Sequence, residues 1–264
     1  MSVALVTGAG RGVGRVVAVA LAEAGHDVAV TSRTASELAE TAAMIEAAGR
    51  RALVHVADVT DETAVRSLAE AVASTLGEVD VLVNNAGTAA AIGPAWEVDI
   101  DLWWRDVESS LRSAFLCSHA VIPSMIRRRK GRIVNVSSYV AVRPSPYLSA
   151  YAAAKAAVGS FSEGLAAALG GHGIYVFTIT PGLFRSELTA HLMESDAGRR
   201  WLPDVGTGRF VEPERLKRLV TFVVSDAAAP FSGRFLHALD DLGDLVAQSS
   251  EIVSRDLFTV RLQR

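Results

Sequence analysis

A tyrosine and a lysine stand four residues apart in the Ala-rich stretch 149–169, at Tyr151 and Lys155. On a helix this spacing places both side chains on one face. A free phenol has a pKa of about 10, and a neighbouring ammonium lowers that pKa because it stabilises the phenolate. The pair is therefore a candidate for general acid–base catalysis. The alternative is that Tyr151 only packs and that Lys155 is a solvated charge.

A serine, Ser138, follows a predicted strand a short distance before the tyrosine. Ligands of open α/β sheets bind outside the carboxyl ends of the strands, so a hydroxyl there can hold a substrate oxygen against Tyr151. The neighbouring Ser137 is the alternative, but strand alternation points it to the opposite side. Ser138 thus favours the catalytic interpretation over simple packing.

A glycine-rich turn joins the first predicted strand to the first predicted helix. Glycines allow a tight turn and a close approach to a pyrophosphate, which then sits on the positive helix N-terminus. The position between strand and helix is the context that a dinucleotide site requires, although glycine also serves purely structural turns. The residues predicted to bind the cofactor here are Gly8, Gly10, Arg11, Gly12, Val13 and Gly14.

Short apolar runs alternate along the chain with longer, helix-forming stretches. Strands are predicted at 3–7, 28–32, 52–56, 79–84, 132–137, 174–180 and 234–239. Helices are predicted at 12–24, 35–48, 62–76, 102–128, 149–169 and 213–224. Near-continuous Val, Ile and Leu in the strands are typical of a parallel sheet covered on both faces. The predicted fold class is therefore α/β, a single-domain doubly wound (Rossmann) parallel sheet over 1–264, with helices on both faces.

Five motifs in order, together with the spacing T-G-x-x-x-G-x-G of the glycine turn, resemble the short-chain dehydrogenase/reductase family over about residues 3–240. These motifs are Asp58-Val59, Asn84-Asn85-Ala86-Gly87, Asn135-Val136-Ser137-Ser138, Tyr151-Ala152-Ala153-Ala154-Lys155 and Pro181-Gly182. The resemblance implies a hydride transfer between a nicotinamide cofactor and a carbonyl or alcohol carbon. Ser138 would position the oxygen, Tyr151 would give or take its proton, and Lys155 would hold the nicotinamide ribose.

The resemblance also implies which further residues contact the cofactor. Asp58 and Val59 would contact the adenine, and the segment after the fourth strand would lie against the adenosine ribose. The segment after the sixth strand would lie near the nicotinamide. The further residues assigned to cofactor binding on this basis are Asn85, Ala86, Gly87, Pro181, Gly182, Phe184 and Ser186.

One position departs from the family pattern. Ser110 stands where the family usually has an asparagine that holds a water of a proton relay to the lysine. A hydroxyl has less donor and acceptor capacity than an amide, so this relay is the part of the mechanism in question. Ser110 is nevertheless a candidate catalytic residue.

The end of the second strand bears on the choice of cofactor. NAD sites usually carry a carboxylate there for the ribose 2′-hydroxyl, and this strand ends in Ser32 and Arg33 instead. Arg33 and Arg11 flank the expected 2′-phosphate, and guanidinium groups pair well with phosphate oxygens. The sequence therefore favours NADP(H), with NAD(H) as the alternative.

The function predicted from these features is NADPH-dependent reduction of a small-molecule ketone. The alternatives are an oxidative NAD-dependent dehydrogenase of secondary alcohols and a non-catalytic NADP-binding regulator. The resemblance further implies a homo-oligomer, a tetramer rather than a dimer, with the helices around 102–128 and 149–169 at the interface.

Composition restricts the remaining classes. Half of the 264 residues are apolar, 21% are charged and the formal net charge is −3. Disorder is thereby excluded, and no basic field indicates nucleic acid. The single cysteine, Cys117, suits a reducing compartment and is expected to be a small buried side chain. With no leader and no membrane-spanning stretch evident, a cytoplasmic location is predicted. The six histidines have no metal-ligand spacing, so no metal site is expected.

The segment 183–212 is predicted to be a mobile substrate lid, because glycines and a proline interrupt it. The alternative is an ordered helix packed on the core. Its expected apolar inner face comprises Leu183, Phe184, Leu188, Leu192, Met193, Trp201 and Leu202. Arg143, Pro146 and Tyr147 would lie opposite, which suits a bulky, mostly apolar carbonyl compound, and Arg199 or Arg200 would add an anionic contact.

Three remaining features are given structural interpretations. Trp96, Trp103 and Trp104 are expected to pack in the core or at a subunit interface. The basic run 127–130 is interpreted as a helix C-terminus rather than a nucleic-acid site. The tail 246–264 carries no strong signal.

Overall fold

The apolar runs form one parallel sheet in a computed structural model that describes residues 2–261. Its strands are β1 (Ser2–Thr7), β2 (His26–Ser32), β3 (Ala52–Val56), β4 (Val81–Asn84), β5 (Gly131–Val136), β6 (Ile174–Thr180) and β7 (Phe235–His237). The strand order is β3-β2-β1-β4-β5-β6-β7, and every neighbouring pair is parallel. The predicted doubly wound α/β fold class is confirmed.

Helices cover both faces of this sheet. They are α1 (Gly12–Glu23), α2 (Ala35–Ala47), α3 (Glu62–Thr75), α4 (Ile100–Val107), α5 (Ser113–Arg128), α6 (Ser149–Leu169), α7 (Glu187–Glu194), α8 (Asp196–Trp201), α9 (Pro213–Val223), α10 (Leu242–Ala247) and α11 (Ser249–Ser254). Over residues 2–261, none of the helices has the length and apolarity needed to cross a membrane.

The alternation of side chains along each strand separates two apolar cores. In β1, Ala4 and Val6 join a core with residues of α1, α2 and α9, whereas Val3 and Leu5 join a core with residues of α3 and α5. Successive side chains of a strand point to opposite faces, so continuous apolar strands are buried on both sides. Cys117 lies in the second core and is buried, as expected.

Strand order reverses between β1 and β4, which are adjacent in the sheet. The connections of the two halves run in opposite directions from this point, so their loops leave a crevice at the carboxyl ends of the strands. Every motif of the predicted site follows a strand at this edge or lies on a helix beside it. The fold thereby brings distant motifs together.

The predicted helix 102–128 is interrupted in the structure. A π-helical turn, Glu108–Arg112, separates α4 from α5. A π turn accommodates one extra residue, and such turns are frequent at functional sites. The buried Ser110 lies within it.

The two least regular segments of the sequence contain short helices. In the segment 183–212 the structure has α7 and α8, and side chains from both join an apolar cluster with Tyr151. In the tail, α10 and α11 bury Leu245 and Ile252 in the first core. Asp241 caps α10 by accepting hydrogen bonds from two backbone N–H groups. These helices are only six to eight residues long, too short for a clear periodicity. Positions 262–264 of the tail lie outside the described residues.

Of the two places expected for the tryptophans, the core and a subunit interface, the core is excluded for Trp96 and Trp104. Trp96 is 84% exposed and Trp104 is 56% exposed. Trp103 is partly buried, and its Nε1 donates a hydrogen bond to Ser149 Oγ at 3.0 Å. Only one face of α4 contacts the rest of the chain, so the adjacent tryptophans 103 and 104 cannot both be buried.

The basic run ends a helix and also forms ion pairs. The last residue of α5, Arg128, binds the buried Asp80 carboxylate at 2.6 Å and donates to the Val79 carbonyl. Lys130 adds a second contact to Asp80 at 3.2 Å. The run therefore fastens the end of α5 to the start of β4, at the edge of the sheet opposite the predicted site.

Candidate active site

A cleft of about 640 Å³ lies at the carboxyl edge of the sheet. Of the residues predicted from the sequence, those that line it are Gly8, Gly10, Arg11, Gly12, Val13, Gly14, Ser32, Arg33, Asp58, Val59, Asn85, Ala86, Gly87, Ser138, Tyr151, Lys155, Pro181, Gly182, Phe184 and Ser186. Ser110 is buried directly behind Gly87. The structure thus brings the predicted site residues into one region.

The glycine turn has no room for side chains. Gly8 has φ +62°, and a Cβ on Gly14 would lie 2.2 Å from the Gly8 carbonyl oxygen. The Asn85 side chain fastens the turn to the end of β4 by donating to the carbonyls of Thr7 and Gly8 at 2.9 and 3.1 Å. Thr7 Oγ1 in turn accepts from the backbone N–H groups of Asn85 and Ala86. The turn is therefore rigid and narrow.

The N-terminus of α1 fits the pyrophosphate of a dinucleotide. Its N-cap residue, Arg11, makes no side-chain hydrogen bond to the first turn, so the first N–H groups of the helix remain available to an anion. Because a Cβ on Gly14 would collide with the turn, only a glycine allows this helix to begin so close to the strand. The turn and the helix end together fit the phosphates of a nicotinamide dinucleotide.

Tyr151 and Lys155 lie on one face of α6, with Lys155 Nζ 5.6 Å from the centre of the Tyr151 ring. Burial raises the pKa of Tyr151 to about 12, while a hydrogen bond with the Ser138 side chain acts in the opposite direction. Burial lowers the pKa of Lys155 to about 8. Lys155 was expected to lower the Tyr151 pKa. In the protein without a bound cofactor, burial has the larger effect, so the Tyr151 pKa is raised instead. Tyr151 is a neutral phenol near neutral pH.

The lysine and the two serines have distinct hydrogen-bond environments. Lys155 Nζ donates to the Val136 carbonyl at 2.8 Å, which fixes the ammonium beside the end of β5. Both serines line the cleft, but Ser137 Oγ donates to the Lys155 carbonyl at 3.0 Å and so faces α6. This bond occupies the Ser137 hydroxyl, which leaves Ser138 as the better candidate for contact with a substrate.

Ser110 is 3% exposed, and its Oγ has no hydrogen-bond partner among residues 2–261. A Cβ on Gly87 would lie 2.8 Å from Ser110 Oγ and 3.3 Å from Lys155 Nζ. The serine hydroxyl and the lysine ammonium therefore face the same small space beside Gly87. This placement suits a polar group that connects the two.

Carboxylates lie beside both predicted phosphate-binding arginines, and two of them, Glu37 and Glu187, were not predicted as site residues. Arg11 Nη1 is 3.3 Å from Glu37 Oε1, and its Nε is 3.8 Å from a Glu187 oxygen. Arg33 Nη1 lies 4.0 Å from Asp58 Oδ2. Glu37 escaped notice because it comes from the first turn of α2 and not from the end of β2. The signal that could have found it is that the α2 N-terminus faces the same edge as the strand ends.

An apolar wall closes the cleft beyond Tyr151. The buried residues of this wall are Ala89, Ile92, Leu148 and Leu192, and the residues packed against them include Tyr151, Leu188, Trp201 and Leu202. The rings of Tyr147 and Trp201 are 5.0 Å apart.

Other residues of the expected lid face have different surroundings. Phe184 is buried in the first core although it also reaches the cleft. Arg199 pairs with Asp196, and Arg200 stacks over Trp201 at 4.6 Å. Both guanidinium groups therefore already contact a neighbouring side chain, which would compete with an anionic group of a substrate for Arg199 or Arg200.

Among the further residues of the cleft that were not predicted are Asp106 and Thr88. Asp106 is a buried carboxylate at the end of α4 whose Oδ1 accepts from Thr88 Oγ1 at 2.6 Å. An Asp in a helix that begins with exposed acidic residues gives no signal of burial. Among the described residues, no group of three or more His, Cys, Asp or Glu side chains is arranged to hold a metal ion.

Comparison with known proteins indicates the same family as the sequence motifs that line the cleft. Residues 2–197 match the family model described as short chain dehydrogenase. The chain is 42% identical over 189 residues to a short chain dehydrogenase of Pseudocercospora fijiensis, a match that covers 71% of this chain and 61% of that protein.

Two other relatives match over most of their length. The chain is 34% identical over 235 residues to the 3-oxoacyl-[acyl-carrier-protein] reductase of Staphylococcus aureus, covering 89% of this chain and 95% of that one. It superimposes with a TM-score of 0.81 on an actinorhodin polyketide ketoreductase variant solved with NADPH, at 30% identity, covering 89% of this chain and 95% of the other. With its motifs gathered in one cleft, the chain belongs to the short-chain dehydrogenase/reductase family of NAD(P)-dependent oxidoreductases.

Proposed function

We propose that this protein reduces the carbonyl group of a small molecule with NADPH. The observation that carries the proposal is the neutral, partly buried phenol of Tyr151, which lines the cleft together with Ser138. A phenol that keeps its proton at neutral pH is a proton donor, which reduction requires. The relationship to a 3-oxoacyl reductase and a polyketide ketoreductase supports the same direction.

Each catalytic side chain has one task in this reaction. Ser138 donates a hydrogen bond to the carbonyl oxygen and holds it against Tyr151. Bound NADPH would supply the hydride that the carbonyl carbon accepts. As the C=O π electrons move to the oxygen, Tyr151 gives that oxygen its proton. The ammonium of Lys155 stabilises the phenolate that remains and binds ribose hydroxyls. Ser110 is proposed to join Lys155 to solvent through the space beside Gly87.

The cofactor is proposed to lie along the cleft from the glycine turn to Pro181. The turn 8–14 would hold the pyrophosphate, Asp58 and Val59 would hold the adenine, and the segment 85–87 would hold the ribose. The segment 181–186, where Gly182, Phe184 and Ser186 line the cleft, would hold the nicotinamide.

NADP is proposed as the preferred cofactor because Arg11 and Arg33 approach the adenosine end from two different loops. A charge-assisted contact contributes about 1.5–3 kcal/mol, so losing one should cost roughly 10- to 150-fold in kcat/KM. The double variant Arg11→Ala with Arg33→Ala should narrow the ratio of kcat/KM for NADPH to that for NADH. A wild-type enzyme that prefers NADH would contradict this assignment.

NAD-dependent oxidation of a secondary alcohol is the second candidate, and Glu37 favours it. Its carboxylate lies beside Gly10 and Ser32 and could accept a hydrogen bond from a ribose 2′-hydroxyl. Measured kcat/KM values for ketone reduction with NADPH and for alcohol oxidation with NAD separate the two candidates.

The substitution Tyr151→Phe tests the proton donor directly. It keeps the ring and its packing, so NADPH binding should remain, while turnover on a panel of bulky apolar ketones should fall by about 100-fold or more. The assay is the loss of NADPH absorbance, with NADPH affinity measured separately by fluorescence. Turnover within a few-fold of wild type would exclude Tyr151 as the donor.

We also propose that the chain forms a homo-oligomer, a tetramer in preference to a dimer. Phe115 on α5 is half exposed, and its ring lies 6.3 Å from that of Phe161 on α6, so the two helices share an apolar outer surface. The mass in solution, measured by light scattering, should be a multiple of the chain mass. Phe115→Asp should shift it towards monomer.

A further inference from the structure

Asp106 is a buried charge with an unusual set of partners. It is 0% exposed, and within residues 2–261 no lysine, arginine or histidine forms an ion pair with it. Its Oδ1 accepts from Thr88 Oγ1 at 2.6 Å and from the Ala90 N–H at 3.0 Å, and its Oδ2 accepts from the Ala91 N–H at 2.8 Å. All three donors belong to one segment, 88–91. A buried carboxylate is costly unless such bonds satisfy it, so the contact is specific.

The segment 88–91 joins the cofactor site to the substrate wall. It follows Gly87 directly, and a second bond fixes its start because the Thr88 N–H donates to Ser109 Oγ at 3.1 Å. Its other end leads into the apolar wall, where Ala89 is buried in the cluster against which Tyr151 packs. A displacement of this segment would therefore move the wall relative to the tyrosine.

We propose that Asp106 is a positioning residue of the reaction, which holds the segment 88–91 in place so that the substrate carbonyl meets Tyr151 in a productive orientation. This inference rests on the proposed function, because it concerns the same site. Asp106 acts through hydrogen bonds to the wall and through its charge, and it does not donate or accept the transferred proton.

The charge of Asp106 also acts on the tyrosine. The polar and charged groups that act on Tyr151 are Lys155 on its own helix, Ser138 after β5 and Asp106 from α4, and His191 from α7 lines the same cleft. Burial is the main reason that the pKa of Tyr151 is raised, and the negative charge of Asp106 raises it further. Asp106 thereby helps to keep the phenol protonated.

Three substitutions separate these effects. Asp106→Asn preserves the shape but removes the charge, and its NH2 group must face at least one donor of the segment 88–91. Thr88→Val removes one bond to Asp106 and leaves the carboxylate charged. Asp101→Asn is the matched control, since it removes an exposed carboxylate from the same helix.

The assay measures kcat and the KM for the ketone at saturating NADPH, together with NADPH affinity. We expect Asp106→Asn to lower kcat/KM by about 10- to 100-fold, with NADPH affinity nearly unchanged. The loss should appear in kcat as well as in the KM for the ketone, because a displaced wall misorients the bound carbonyl. Thr88→Val should lower kcat/KM by about 3- to 10-fold, and Asp101→Asn should match wild type.

Amide hydrogen exchange gives a readout that does not need turnover. Of the N–H groups of Ala90 and Ala91, the one that faces the new NH2 group loses its acceptor and should exchange at least about tenfold faster in Asp106→Asn than in wild type. Wild-type kinetics and unchanged exchange in Asp106→Asn would overturn the proposal. If that variant does not fold, wild-type kcat/KM in Thr88→Val overturns it. A wild type inactive on all carbonyl compounds would refute the proposed function instead, and exchange at Ala90 and Ala91 would still decide this inference.

Discussion

Glu37 provides a test of how the cleft selects its cofactor. Its Oε1 lies 3.3 Å from Arg11 Nη1, and its side chain adjoins Gly10 and Ser32 at the proposed adenosine end. Glu37→Gln keeps the size of the side chain and removes its charge. We expect kcat/KM with NADPH to rise and kcat/KM with NADH to stay level or fall, because the carboxylate repels a 2′-phosphate and occupies Arg11.

The expected size of this change follows from the charges. A phosphate monoester carries about −1.5 to −2 charges, and two unit charges about 5 Å apart repel by ~0.8 kcal/mol in water. Loss of the carboxylate should therefore favour NADPH by about 1–2 kcal/mol, or roughly 5- to 30-fold in kcat/KM. The Arg11–Glu37 pair is solvent-exposed and contributes at most about 1 kcal/mol to folding, so the variant should fold normally.

The assay compares kcat/KM for NADPH and NADH at low salt and at 0.5 M salt. The gain should shrink at high salt, where the Debye length is about 4 Å. Glu40→Gln is the control, since it removes a carboxylate from the same helix that pairs with Arg15 at 2.8 Å outside the cleft. An unchanged cofactor ratio in Glu37→Gln, or an equal change in Glu40→Gln, would refute the reasoning.

Three further predictions concern the turn, the relay and the opposite edge of the sheet. Gly14→Ala should weaken NADPH binding by about tenfold or more in titration calorimetry, because the new Cβ would meet the Gly8 carbonyl at 2.2 Å. Ser110→Ala should lower kcat by about 3- to 10-fold with NADPH affinity unchanged, and Ser110→Asn should have a kcat close to that of wild type. Equal kcat values in wild type and both variants would exclude a relay role for Ser110. Burial raises the pKa of Asp80, but hydrogen bonds from Arg128, the Val3 N–H and Lys130 have the larger combined effect, so the pKa is lowered overall. The ionised Asp80 therefore stabilises the fold above about pH 4, and this contribution disappears as the pH falls further. Melting temperature should therefore drop steeply below about pH 4 in wild type and less steeply in Asp80→Asn, and parallel curves would contradict this.

The strands and most helices could be predicted from the sequence, because burial on both faces leaves continuous apolar runs and capping residues limit the helices. The helix 149–169 and the strand 174–180 have the predicted bounds. The motifs that line the cleft could also be found, since each follows a strand at the same edge or, like Tyr151 and Lys155, lies on a helix beside it. Local patterns of this kind are set by a few neighbouring residues.

Other features depend on contacts between distant parts of the chain. The π turn within 102–128 leaves no sequence signal, because one extra residue is compatible with the apolar spacing on either side of it. The short helices α10 and α11 exist because Leu245 and Ile252 find space in the first core. The direction of the Tyr151 pKa shift follows from burial, which pattern reasoning cannot measure.

The π turn lets two consecutive helices have different rotational phases. Each residue of an α-helix turns the chain by about 100°, so one additional residue rotates everything beyond it by that amount. In α4 the phase directs Asp106 towards the segment 88–91, and in α5 it directs Cys117, Val121 and Met125 into the second core. A regular helix through Glu108–Arg112 could satisfy only one of these neighbours. The extra residue therefore uncouples the geometry of the cleft from the packing of the core.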